Sequence, residues 1–382
     1  MKAYCLNKIS EVALKTLNEN DKVVDDVTKA DCILVRSYNM HEFKLDKNIL
    51  AVARAGAGVN NIPLNDYANE GVVVFNTPGA NANAVKELVL CAMLLASRDI
   101  LGGINYVKEN KDDKDIAKNV EKAKSKYAGH ELKGKKVAVI GLGVIGVLVA
   151  NSLIDLGMNV IGYDPFLSIG NAMKLHKEVK YVEALEDCVK DCDYVTIHVP
   201  LNPNTKHMLN KKIFEAFKDN TILINFSRDT LVCDDDLQWA LNNSKVSKYV
   251  TDFANEQVVK LDNVICLPHL GASTAEAEDN CALMAINQLR DYLENGNILN
   301  SVNYPDLNAS IKQGQIRVCI NHKNVVGMIA KFSSIISDNG GNILTLTNKS
   351  RNDFAYTVID VDKNINIESI EKLEGVLRVR VI

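Results

Sequence analysis

A chain of 382 residues, 47% hydrophobic and 24% charged, has the length for two or three domains and the balance of an ordinary globular protein. Its net charge of -4 gives no basis for a nucleic-acid partner or for attraction to an acidic membrane. The opening MKAYCLNKIS lacks the apolar core of a signal peptide, and the longest apolar run, residues 88–96, is about half of a membrane span. An unexported, cytoplasmic protein is therefore expected. Nine cysteines lie at scattered positions, and the closest pair, Cys188 and Cys192, is not spaced as CxxC. Reduced thiols are expected, with neither a disulfide framework nor a metal site.

Short β-rich runs at residues 2–5, 32–35, 50–53 and 72–75 alternate with helix-like stretches, an order that predicts a parallel α/β sheet. A helix with an apolar face over 85–97 leads into a charged stretch, 108–136, which reads as a solvated helix and loop. The alternation then restarts, with buried-type strands at 136–140, 159–163, 194–199, 221–225, 249–252 and 264–267. A long helical pattern, 274–293, ends at Glu294-Asn295-Gly296. Beyond a linker with Pro305 and Asp306, residues 315–382 read strand, helix, strand, strand, helix, strand, the size of one small α+β domain.

The restart carries a cofactor signal, KVAVIGLGVIGVLVA. Gly141, Gly143 and Gly146 close a strand and open a helix: the first permits a tight turn, the second lets backbone approach a pyrophosphate, the third lets helix pack on strand. The N–H groups at the start of that helix face the anion. Asp164, in VIGYDPF, ends the next strand, where a carboxylate can bind the adenosine ribose hydroxyls and repel a 2′-phosphate. NAD is therefore expected rather than NADP.

Three later strand ends add chemistry. INFSRDT places Arg228 past one, TDFANE places Asp252 and Glu256 past the next, and PHLGAST places His269 past the one after. Oxidising an alcohol by hydride transfer needs a base for the hydroxyl proton, and an imidazole titrating near neutrality serves. The base needs a carboxylate to fix its tautomer and stabilise the imidazolium, a role expected of Glu256. The carbonyl that forms needs a fixed cation with parallel donors, which Arg228 offers.

GLGVIG with YDP, HVPLNPNTKH, INFSR, TDFANE and PHLGAST, in this order, resemble the D-isomer-specific 2-hydroxyacid dehydrogenases over nearly the whole chain. The resemblance implies a Rossmann-type NAD domain, residues 98–274, inserted in a flavodoxin-like substrate domain formed from 1–97 and 275–306. It assigns Arg228, Glu256 and His269 the catalytic roles above. It also implies cofactor contacts from Thr77, Val144, Ile145, Val199, Pro200, Thr205, Phe226, Ser227, Asp252, Gly271 and Ala272, beside the three glycines, Asp164, Arg228 and His269. Two departures stand out. Asp229 follows Arg228 where many members have glycine, and Glu256 comes four residues after Asp252 where many place the acid fifth, a position held here by Gln257.

Within the family the resemblance is to members that oxidise D-3-phosphoglycerate. Phosphate needs cations, and Arg36, followed by Ser37, and Arg54 both end strands of the substrate domain. The backbone N–H groups of Ala57 and Gly58 suit a carboxylate. In the family a dimer partner lends cations from the segment before the first Rossmann strand, where Lys124 and Lys126 stand; a homodimer or homotetramer is expected. Residues 315–382 resemble an ACT domain, an amino-acid-sensing module, with His322, Asn324 and Gly327 at the positions that would meet an L-serine effector. Val326 replaces the proline often found before that glycine. Two other readings are a dehydrogenase for an unphosphorylated D-hydroxyacid and an NAD-sensing, corepressor-like regulator without turnover.

Overall fold

Cys32–Val35 is apolar throughout and buried at every position, as a strand of a parallel sheet covered on both faces must be. It is β3 of a five-stranded sheet with β1 (Lys2–Cys5), β2 (Lys22–Val24), β4 (Ala51–Arg54) and β5 (Val73–Phe75). All are parallel, in the order β2-β1-β3-β4-β5. This is the flavodoxin-like winding, whose strand order reverses between β1 and β3. The computed structural model describes Met1–Ile382 and divides into two units, Met1–Asn81 with Ala275–Ile382, and Ala82–Thr274. The five strands belong to the first. The helix Ala275–Asn295 covers them with Ala282, Ala285, Ile286, Leu289 and Tyr292.

The second unit is a seven-stranded parallel sheet of β6 (Lys136–Ile140), β7 (Asn159–Tyr163), β8 (Lys180–Tyr181), β9 (Tyr194–Ile197), β10 (Thr221–Asn225), β11 (Val246–Thr251) and β12 (Val264–Cys266). The order β12-β11-β10-β9-β6-β7-β8 is the Rossmann winding with one added strand, and it reverses between β6 and β9. The helix Ala82–Ser97, expected in the substrate domain, belongs to this unit. Its Val89, Ala92, Met93 and Ala96 share a core with Val147, Val149 and Ala150 of the helix Val144–Asp155, so the boundary expected at 97/98 falls at 81/82.

The C-terminal residues form an antiparallel sheet in the order β14-β15-β13-β16, from β13 (Ile316–Lys323), β14 (Ile343–Arg351), β15 (Phe354–Val361) and β16 (Val376–Val381). The helices Met328–Asp338 and Glu368–Glu371 cover one face, over Ile316, Val318, Ile320, Ile359 and Val361. The opposite face carries Cys319, Phe354, Tyr356 and Val358, which enter the same core as Phe75, Tyr292 and Tyr304. Polar clamps line that seam. Arg317 pairs with buried Asp360 at 2.7 Å and donates to the carbonyls of Asn295 and Ser310, while Arg378 donates to Ile49 O and Arg380 lies over the Tyr292 ring. The C-terminal sheet is built into its unit rather than tethered to it. No helix is long and apolar enough to cross a membrane, and all nine cysteines are free thiols.

Candidate active site

The dinucleotide loop follows from backbone geometry. Gly141 has φ +91°, and a Cβ there would lie 2.5 Å from His198 O at the end of β9. A Cβ on Gly146 would overlap Gly141 O, so only glycine lets this helix approach the strand. Gly143 differs: nothing lies within 4 Å of its missing Cβ, which leaves open space at the helix start. No side chain caps that end, so the first-turn N–H groups near Val144 and Ile145 remain available to an anion. Asp164, past β7, accepts Leu142 N–H through Oδ2 and Phe166 N–H through Oδ1, both at 2.8 Å. Each oxygen keeps a lone pair for a ribose hydroxyl. These features fit NAD.

The loop after β9 ties itself together. Thr205 Oγ1 accepts Asn202 N–H and donates to Pro200 O, so it fixes the turn that follows Val199. Phe226, expected at the cofactor, packs its side chain with Val85, Ile224 and Val250. His198 hydrogen-bonds Thr196 Oγ1 at 2.9 Å, and burial pushes its pKa down to about 3. It stays neutral and sits beside the glycine turn, so the acid–base work falls elsewhere.

Phe253 lies beside both the expected histidine and the expected arginine. Its ring lies 4.6 Å from the His269 ring, and the Arg228 guanidinium lies 5.9 Å from its centroid. Arg228 and His269 thus both lie near one aromatic ring at the carboxyl ends of β10 to β12. Asn225, wholly buried, shapes the turn that presents the arginine. Its Nδ2 donates to Arg228 O at 2.8 Å and to Tyr249 OH, and its Oδ1 accepts Ser227 N–H. Ser227 Oγ donates to Ile197 O, and the guanidinium itself donates to Ser227 O. This asparagine went unread in the sequence, although a polar residue ending the apolar run TILIN is a visible signal.

The expected His269–Glu256 pair is not formed. Glu256 is exposed, and no hydrogen bond or ion pair joins it to the imidazole. The short loop explains this: Asn255 Oδ1 accepts Gln257 N–H and Val258 N–H, its amide donates to Asp234, and the turn fixes Glu256 on the outside. The buried carboxylate whose charge reaches His269 is Asp252. It is 2% exposed, its Oδ2 accepts Gly271 N–H at 2.9 Å, and its Oδ1 has no partner. Burial raises its carboxyl above the usual range, and the Gly271 N–H and the His269 charge oppose that rise. Gly271 earns its place here, since a Cβ would lie 3.2 Å from Asp252 Oδ2; Ala272 follows, half-buried.

The first unit holds the other residues. Val35 pairs with Arg54 across β3 and β4, so Arg36 and Arg54 leave the sheet at neighbouring carboxyl ends. The Arg54 guanidinium lies over Gly56, where a Cβ would collide with it. The N–H groups of Ala57 and Gly58 have no protein acceptor, whereas Ala57 O accepts from Asn76. Thr77 is buried and its N–H donates to Gly56 O. The turn Arg36-Ser37-Tyr38 directs three successive N–H groups at one atom, Asn7 Oδ1, at 3.0 to 3.2 Å. Asn7, at the end of β1, thus bridges the point where the strand order reverses.

Two expected groups stand apart. Lys124 pairs with Glu121 on its own exposed surface, and Lys126 makes no ion pair. His322 is core: one ring nitrogen meets Lys323 O, the other meets Thr357 Oγ1, both at 2.8 Å, and Phe332 packs edge-on. It is not presented to a ligand. The Asn324 amide donates to Asn352 O, and Gly327, at φ +84°, starts the helix Met328–Asp338.

Residues 90–271 match the NAD-binding domain of the D-isomer specific 2-hydroxyacid dehydrogenases. The D-3-phosphoglycerate dehydrogenase of Haemophilus influenzae is 32% identical over 350 residues, covering 87% of this chain and 81% of that protein. The hydroxypyruvate reductase of Thermotoga maritima is 31% identical over 283 residues, covering 71% and 87%. The NAD+-bound 3-phosphoglycerate dehydrogenase of Entamoeba histolytica superposes with a TM-score of 0.61 at 25% identity, over 79% of this chain and 98% of that one. The chain belongs to the D-isomer-specific 2-hydroxyacid dehydrogenase family. Its cofactor is NAD.

Proposed function

We propose that this dehydrogenase oxidises D-3-phosphoglycerate to 3-phosphohydroxypyruvate, the entry step of phosphorylated L-serine synthesis. The observation that carries the reading is the pair of arginines at adjacent strand ends, Arg36 and Arg54, beside the open N–H groups of Ala57 and Gly58. Two guanidiniums suit a phosphate, and two N–H groups suit a carboxylate. The similarity to phosphoglycerate dehydrogenases across most of their length supports it.

In this reading His269 takes the hydroxyl proton from C2 as the alcohol becomes a ketone, and Asp252 stabilises the imidazolium that results. Arg228 holds the carbonyl oxygen and the neighbouring carboxylate through parallel N–H donors. Gly141, Gly143 and Gly146 with the helix Val144–Asp155 hold the pyrophosphate of NAD, which supplies the hydride acceptor. Asp164 holds the adenosine ribose.

Steady-state rates of NADH formation with D-3-phosphoglycerate, D-glycerate and D-lactate test it. A kcat/KM at least tenfold higher for the phosphorylated substrate is expected. Preference for D-glycerate would instead favour the reading suggested by the Thermotoga relative, and NADH binding with no turnover of any of the three would mean a regulator.

The enzyme works in the cytoplasm as a homodimer or a homotetramer. The helix Ile100–Glu109 buries none of its residues and exposes Ile104 and Val107 by nearly half, a face that a second copy covers. L-serine acts at the C-terminal sheet near Asn324 and Gly327, where open space surrounds the glycine. Light scattering of wild type and Ile104→Glu, and calorimetry with L-serine, test these two points.

A further inference from the structure

Arg36 already has a partner. Its Nη2 lies 2.6 Å from Glu278 Oε1, in the first turn of the helix Ala275–Asn295, and both side chains are somewhat under half exposed. The backbone of Arg36 is not free to respond to a ligand, because Asn7 Oδ1 holds the N–H groups of Arg36, Ser37 and Tyr38 together. That nest, which would otherwise suit a phosphate oxygen, is filled by an amide oxygen. Any anion recognised at this strand end therefore has to be met by the guanidinium.

One turn beyond Glu278 stands Cys281, buried against the sheet. Burial pushes its thiol up, and the charges of Arg36, Arg54 and Glu278 all reach it. Arg36 and Arg54 leave neighbouring strand ends, and Glu278 is paired with the first of them.

We propose that Glu278 determines specificity at this site: its carboxylate occupies Arg36 in the absence of substrate, and a phosphate group must displace it. The proposal rests on the reading of Arg36 as a phosphate ligand. A guanidinium binds a phosphate best through two parallel N–H donors, and a carboxylate at 2.6 Å competes for them. A phosphate dianion entering beside Glu278 also meets a like charge. A hydroxyacid without phosphate does not call on Arg36 and meets neither cost. The pair thus weakens phosphate binding selectively, and it limits capture of free inorganic phosphate by the same cation.

The test compares the full-length Glu278→Gln variant with wild type. The KM for D-3-phosphoglycerate should fall roughly three- to thirtyfold, with kcat within about twofold and the KM for D-glycerate unchanged. The dissociation constant of inorganic phosphate, measured by calorimetry without turnover, should fall by a similar factor. Both gains should shrink at 1 M salt, where charges are screened over about 3 Å. In an Arg36→Ala background the gain from Glu278→Gln should be much smaller, because only the like-charge repulsion is left to relieve. An unchanged or increased KM for D-3-phosphoglycerate, or an equal fall for both substrates, overturns the role of Glu278. If Arg36→Ala by itself affects phosphorylated and unphosphorylated substrates alike, the phosphate reading of Arg36 fails instead, and the two failures are told apart.

Discussion

Asn225 and Arg228 are joined across the strand-end turn by a hydrogen bond of 2.8 Å from side-chain amide to backbone carbonyl. The amide is buried at the end of β10, and the same residue receives Ser227 N–H and reaches Tyr249 OH. A turn that lacks the glycine many family members carry after the arginine is thus held by a side chain instead. Asn225→Ala should lower kcat/KM about 10- to 100-fold through misplacement of Arg228, while the dissociation constant of NADH stays within about threefold. In an Arg228→Ala background the same change should cost little. Equal losses in both backgrounds would mean that Asn225 acts on stability alone.

Asp252 carries opposite demands. Burial raises its carboxyl above the usual range, so the folded protein holds its proton more tightly than the unfolded chain does. Stability from this group is present at low pH and is lost as pH rises through that raised value. Asp252→Asn keeps an acceptor for Gly271 N–H and removes the charge. It should raise the melting temperature at pH 7 relative to wild type, with the gain fading toward pH 3, and it should lower kcat by about tenfold or more. Glu256→Gln, on the exposed loop, should change neither quantity. A Glu256 variant as impaired as Asp252→Asn would restore the glutamate as the histidine's partner.

Asp164 couples the glycine loop to the ribose position. Asp164→Ala removes the acceptor for Leu142 N–H and Phe166 N–H as well as the ribose ligand. The KM for NAD should rise about 10- to 100-fold, and the ratio of NAD to NADP efficiency should fall, because two charge-assisted hydrogen bonds are lost and the negative charge facing a 2′-phosphate disappears. An unchanged ratio would remove Asp164 from the ribose.

Arg317 and Asp360 form a buried ion pair that also gathers Asn295 O, Ser310 O, Gln313 N–H and Thr345. Arg317→Met leaves a buried carboxylate without its cation and should destabilise by about 3–5 kcal/mol in urea unfolding. Adding Asp360→Leu should restore most of that loss. Because the C-terminal sheet shares a core with Tyr292 and Tyr304, its unfolding should be concerted with that of its unit rather than a separate early transition.

Much of this protein is legible along the chain because the relevant physics is local. A glycine required at φ +91° in Gly141, a carboxylate immediately past a strand in Asp252, and a histidine after a proline at a strand end are fixed by neighbours in sequence. Composition likewise marks the buried strands, since β3 and the centre of β10, Ile222–Ile224, are buried on both faces and apolar. Short polar strands escape that reading. β2 is KVV and β8 is KY, and what makes them strands is a neighbour's backbone rather than their own side chains.

Tertiary structure alone decided which acid is buried near the histidine and which partner holds each arginine. Glu256 lies closer in sequence to the expected pattern, yet the hydrogen bonds of Asn255 turn it outward, and Asp252 reaches the site through a strand pairing that brings Thr251 beside Cys266. Glu278 meets Arg36 from 242 positions away, because the chain returns to its first unit only after completing the second. His322 has the residue type of a ligand and the surroundings of a core, with both ring nitrogens used inside the sheet. In each case the sequence names the chemical group, and its partner is set by long-range packing that no local pattern records.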